Sequence, residues 1–398
     1  MLQNRFWARE SSRNIASGTF HQPGAFVISL DFELHWGVRE FPLEPRRSAL
    51  LQARRVVPRL LDLFQEFEVA ATWATVGMLF AETRQEMQQY FPGEMPSYTD
   101  ARLDPYTQPV GADEEEDPLH FAPSLIRAIQ RRPRQEIGSH TFSHYYCCEP
   151  GQKLSQFKAD LKSAVAIAAA RGVAIQSIVL PRNQVRSDYV AVLPEFGIGA
   201  YRGVQRGYMG RYICKAGPFA QQRSPVRRAG RLLDAYLNLS GAGVFPWPDP
   251  ANPAGDIDFP SNVPASRYFR CDPTPAWAHR MQIARIAAGL RQASEHGQIF
   301  HFWGHPEDFA TNMEDSLATL RQVLKVFRSE REARGMRSLT MSEAAGLGLG
   351  GTHENISILH SVLDRASIHP VCGATAGPSA ASCGLQTGLS RRVRQAEP

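Results

Sequence analysis

Cysteine is scarce and unpatterned. Six of the 398 residues are cysteine, and no two of them form a C-x-x-C pair. That speaks against a disulfide scaffold and for reduced thiols, as in a cytosolic protein. Long apolar runs are missing too. None nears the roughly 20 residues of a membrane span, so no membrane span is expected. Met1 to Ser17 carries Arg and Glu with no apolar centre, unlike a secretory leader. The expected location is therefore cytoplasmic. Large blocks of one charge are absent as well. The net charge of +5 comes from scattered arginine, and the clusters at Arg131–Arg134 and Arg391–Arg394 are short. They read as solvated surface, and no nucleic-acid partner is expected. No internal repeat is visible.

With 43% hydrophobic residues, the chain holds enough for one large domain with insertions, or for two. Residues 25–33 are an apolar, β-branched run typical of a buried parallel strand. The run closes on Asp31 and Glu33. A strand period of two sends both carboxylates to one side. Carboxylates at the end of a buried strand need a metal or a partner to offset their burial.

Beyond it, helical spacing over 46–68 precedes a second buried strand at 69–77. Residues 81–135 read as a surface excursion, with a short helix near 123–130 and a solvated acidic turn at Asp113 to Asp117. Further strands are expected at 135–140, 177–180, 198–202, 298–305 and 338–341, with helices between. From 204 to 270 the pattern fails, which suggests a loop-rich insertion beside a cleft. Residues 1–24 read as a flexible lead-in and 351–398 as a disordered tail, leaving 25–350 as the folded unit. Alternating strands and helices argue for a parallel sheet, most simply a closed β/α barrel.

Two histidine pairs share a spacing of four: His140 with His144, and His301 with His305. On a helical turn such a pair shares a face and suits one metal. The first pair follows a strand among Gly138, Ser139, Thr141 and Ser143, so it is the preferred metal pair. His301, inside an aromatic strand, reads as a hydrogen-bonded core histidine. One carboxylate of strand one and two histidines make the three-ligand set of catalytic zinc. The second carboxylate can take a proton from water. A histidine opposite can protonate a leaving amine. Arg182, ending strand four, is placed to keep the base ionised.

These residues resemble the polysaccharide deacetylase, or NodB-homology, family. Ser29-Leu30-Asp31-Phe32-Glu33 looks like its first motif and His140-Thr141-Phe142-Ser143-His144 its second. Leu180-Pro181-Arg182-Asn183-Gln184 is similar to the third, and Trp303-Gly304-His305 to the fifth. The resemblance implies a deformed (β/α)7-type barrel, a divalent metal, commonly zinc, and hydrolysis of an N-acyl amide in carbohydrate metabolism. It implies Asp31 as base, His140 and His144 as ligands, Arg182 as orienting residue and His305 as acid. Phe32 stands where the family places a second aspartate, which leaves Glu33 as the substitute ligand. The third motif lacks the proline and glycine usual after its arginine. Trp247 and Asp249 lie in the region of the fourth. The expected substrate is an N-acetylated saccharide or precursor. The alternatives are a small amide, cut by an allantoinase-like amidohydrolase, and a non-enzymatic binding member.

Overall fold

Eight consecutive buried residues, Ala25–Phe32, form the central strand β1 of a computed structural model. The structure describes residues 22–205, 217–218, 221, 224–247, 260–270 and 276–346. The expected lead-in falls almost wholly outside these residues, as do the tail and Asp249.

Eight further strands follow: β2 Ala71–Thr75, β3 Gln135–Ser139, β4 Ser177–Ile178, β5 Ala200–Tyr201, β6 Ser261–Asn262, β7 Arg267–Tyr268, β8 Ile299–Gly304 and β9 Arg337–Leu339. Every pairing between them is parallel, in the order β6-β5-β4-β3-β2-β1-β8-β7. The two ends of that order are one stretch of chain. Val263 and Ala265 donate to Tyr201 O and Gly203 O on the β5 side, each at 2.9 Å. Ser266 and Phe269 donate to His301 O and Trp303 O on the β8 side, each at 2.8 Å. Residues 261–269 thus span the gap and close a barrel of seven staves, β6 and β7 being halves of one. The segment read as irregular insertion supplies this stave. The deformation lies at β1: its first half pairs with β9 and its second half with β2.

Alternation along the strands separates two cores. Phe26, Ile28, Leu30 and Phe32 join the cluster that packs against the surrounding helices, among them α1 Glu44–Phe67, α3 Pro123–Gln130 and α4 Leu154–Ala170. Ala25 and Val27 join a second cluster of Ala74, Val179, Ala200, Val263, Ile299, Leu339 and Met341. Apart from Met341, Ala344 and Phe245 these come from the staves or their ends, so this cluster fills the lumen. Each strand therefore has a lumen parity, and continuing it past the strand's C-terminal end reaches the barrel mouth. The remaining α-helices among the described residues are α2 Arg84–Gln89, α5 Ser187–Val190, α6 Pro225–Tyr236, α7 Ala276–His296, α8 Met313–Arg334 and α9 Met341–Ala344.

Candidate metal and catalytic site

Lumen parity carries Ser29 and Asp31 upward from β1, Trp303 and His305 from β8, His140 from β3 and Arg202 from β5. They meet at the C-terminal mouth, where chemistry collects in β/α barrels. Each of these polar groups is costly to bury alone, and the structure pairs them.

Glu33, His140 and His144 each offer a ligand atom within 4.8 Å of the others. Glu33 Oε2 lies 3.1 Å from His140 Nε2 and 2.9 Å from His144 Nε2. Both imidazoles are almost fully buried. Their segment is no helical turn: Thr141 and His144 sit at φ +65° and +55°. Two left-handed residues turn the chain back, and α4 locks it. Asp160 accepts from Phe142 N at 2.7 Å, Ser143 N at 3.1 Å and Ser143 Oγ.

Glu33 is presented by a strained turn. Leu34 adopts φ +46°, and its N–H donates to Glu307 Oε1 at 3.0 Å. A Cβ on Gly37 would fall 1.9 Å from Glu33 Oε1, so only glycine leaves the carboxylate its room. Below the turn runs a chain of buried groups. Asp117 Oδ2 lies 2.7 Å from His120 Nδ1, and His120 Nε2 lies 2.9 Å from His35 Nδ1. Trp36 Nε1 donates to His120 O at 3.1 Å. Asp117 is thus no solvated turn residue, as the acidic run suggested. It braces the histidines behind Glu33. The clue was His120 three residues on.

The expected partner of Asp31 is corrected. Arg182 bonds Glu40, with Glu149 Oε1 at 3.8 Å and the Tyr146 ring at 4.0 Å. Arg202 holds Asp31 instead, both carboxylate oxygens at 2.7 Å, and also donates to Ser29 Oγ at 2.9 Å. It is fully buried, with its guanidinium 4.3 Å from the Trp303 ring centre. Parity gives the reason. Arg182 follows Ile178 and Leu180, which face the helices, whereas Arg202 follows lumen-facing Ala200. Burial would raise the Asp31 carboxyl, but Arg202, then His140 and His305, bring it below its usual range.

His305 Nε2 lies 3.7 Å from Asp31 Oδ2, and its Nδ1 lies 2.9 Å from Asp308 Oδ2. Burial alone would lower this imidazole. Asp308, with Glu33 and Asp31 behind it, outweighs burial and keeps it well above the ordinary histidine value. Opposed to burial in the same way, His144 and His140 draw Glu33 well below the usual carboxylate range. Burial brings His144 down to about 3, so it stays neutral, as a ligand must. His301 is fully buried between Val263 O at 3.0 Å and Ser29 Oγ at 2.8 Å. Trp247 packs on the lumen cluster beside Arg337 of β9, at the barrel's opposite end.

The donor set fits a metal. His140 Nδ1 lies 2.8 Å from the Val179 carbonyl, which can only accept, so the proton sits on Nδ1. Nε2 is thereby the ring nitrogen turned toward the Glu33 carboxylate. A metal ion or a proton between the two satisfies both, and with His144 the three ligand atoms are close enough to share one ion. A cleft of about 360 Å³ opens over these groups, lined by Asp31, Glu33, His144, Arg182, Trp303 and His305.

Fold and site together define a parallel β/α barrel with a two-histidine, one-carboxylate cluster at its mouth. Residues 45–201 match the family model described as polysaccharide deacetylase. Over that stretch the chain is similar to the family its motifs resemble. The match contains His140, His144 and Arg182, while Asp31, Glu33, Arg202 and His305 lie outside it. No curated protein matches the chain. Among solved structures, a putative polysaccharide deacetylase from Mycobacterium smegmatis is 16% identical at a TM-score of 0.48, covering 82% of this chain and 90% of that one. The Puue allantoinase is 12% identical at 0.46, covering 81% and 88%. BA3943 from Bacillus anthracis, described as a CE4 family pseudoenzyme, is 11% identical at 0.39, covering 82% and 67%.

Proposed function

We propose that this chain is a divalent-metal-dependent hydrolase that removes the acyl group from an N-acylated saccharide or saccharide precursor in the cytoplasm. One observation carries the reading: His140, its Nδ1 turned to the Val179 carbonyl, brings Nε2 to the Glu33 carboxylate beside His144, three ligand atoms within 4.8 Å of one another that suit one ion. Glu33, His140 and His144 would hold the ion, zinc in this proposal. Bound there, it would supply an activated water near neutral pH and polarise the amide carbonyl.

The chain's own residues do the rest. Asp31, kept ionised by Arg202, accepts the proton of the attacking water. His305, kept cationic by Asp308, delivers a proton to the departing nitrogen. Asp31 and His305 line the same cleft as Glu33 and His144, which supports base and acid acting on one substrate. Free thiols at Cys147 and Cys148 support the cytoplasmic placement.

Metal analysis of the purified protein tests this. We expect stoichiometric metal in the wild type and none in His140→Ala. Asp31→Asn should keep the metal and lose acetate release from N-acetylated sugars. Loss of metal in Asp31→Asn would make Asp31 a ligand and remove it as base. Absence of metal from the wild type would favour a binding protein.

A further inference from the structure

Helix α6 is built the wrong way round for a surface helix. Such a helix ordinarily buries an apolar stripe and shows water its charges. Here Asp234 is the buried residue, and Arg231, Asp234 and Ala235 line the cleft. Outward stand Val226, Leu232 and Leu233, 68%, 48% and 50% exposed, followed by Leu237 and Leu239. Trp277, on the adjoining α7, is 58% exposed. These six are all but one of the exposed large apolar side chains among the described residues, so the exposure is concentrated rather than scattered.

Three of the four charges on this helix are basic. Arg227, Arg228 and Arg231 are its basic residues, and its single acid, Asp234, is taken up by Arg267 at 2.6 Å and Arg285 at 2.9 Å. Arg228 is exposed beside the leucines. An apolar face bearing exposed Arg228, with exposed Trp277 and Arg280 on α7, matches an anionic lipid surface, where leucine and tryptophan enter the acyl boundary and arginine meets headgroups. A protein partner would have to bury Arg228 as well. No described helix is long and apolar enough to cross a membrane, so the contact is peripheral.

We propose that α6 docks this molecule on an anionic membrane with the cleft mouth beside the bilayer. The cytoplasmic leaflet has the required charge. The amide would then be presented from a lipid-anchored or membrane-bound saccharide, a corollary that rests on the hydrolase reading above.

Flotation with vesicles tests the docking directly. The full chain should float with phosphatidylglycerol vesicles, weakly with phosphatidylcholine vesicles, and less as salt is raised. A Leu232→Asp/Leu233→Asp variant, altered only at exposed positions, should stay in the soluble fraction while keeping its metal. Arg228→Glu should weaken binding to anionic vesicles about tenfold. Failure of the wild type to float, or unchanged flotation of the double variant, overturns the proposal. So does a concentration-dependent dimer that the double variant abolishes, which would assign the face to a second copy. Flotation of His140→Ala protein separates the two readings, because docking must survive loss of the metal site.

Discussion

At the scale of single residues the site depends on two that no motif marks. Arg202 is invisible to pattern matching but legible by counting, since strand five keeps lumen parity from Ala200 to its arginine, whereas strand four does not from Val179 to Arg182. Burying Asp31 is tolerable because Arg202 grips both oxygens, and removing one partner of such a pair costs about 3–5 kcal/mol. A double-mutant cycle in urea should therefore find Arg202 and Asp31 coupled by more than about 1.5 kcal/mol, and Arg182 and Asp31 additive within about 0.5. Coupling to Arg182 instead would restore the sequence expectation. Gly37 is the second such residue. A methyl there would push Glu33 away from the histidines, a movement the flexible side chain makes cheaply and the site does not. Gly37→Ala should keep its unfolding midpoint within a few degrees and lose about 10–100-fold in metal affinity by competition with a chelator. Unchanged affinity would mean that Glu33 is not a ligand.

At the scale of elements, strands were readable and the turns after them were not. Apolar runs and period two announce β1 and β8, because burial on both faces leaves little choice of residue. Whether His140 to His144 forms a helical turn or a left-handed loop depends on Asp160, a side chain from α4 that local spacing cannot report. Asp160 also gives the fold a pH dependence. Full burial, against the hydrogen bonds from Ser143 and Phe142, raises its carboxyl to about 6. An acid raised in the folded state contributes stability that is whole below its unfolded value near 4 and is lost as pH climbs through 6. A shift of that size corresponds to about 3 kcal/mol. Urea midpoints between pH 4 and 7 should therefore carry a downward component in the wild type that Asp160→Asn lacks. The variant should be less stable throughout, since its amide NH₂ meets the donors of Ser143. A wild type and variant that change in parallel with pH would show that Asp160 titrates elsewhere.

For the whole molecule, closure of the barrel is the property that brings β1, β3, β5 and β8 to one mouth, and the stave that completes it was the least legible part of the chain. The closing stave, 261–269, lies where proline, glycine and charge break every periodic pattern, and its regular pairs are two residues long. It holds by single hydrogen bonds to both neighbours, with Val263 filling the lumen between them. Proline at 263 would delete the bond to Tyr201 O and clash within the stave, so Val263→Pro should cost about 3 kcal/mol or more. It should also lower metal content, because Arg202 and Trp303 flank that seam. Every barrel hydrogen bond cited above falls between residues 25 and 339, so we expect a chain ending at 346 to unfold at the wild-type urea midpoint with its metal retained. A truncated chain that is insoluble, or whose midpoint falls by as much as that of Val263→Pro, would mean that residues 347–398 pack on the barrel rather than follow it.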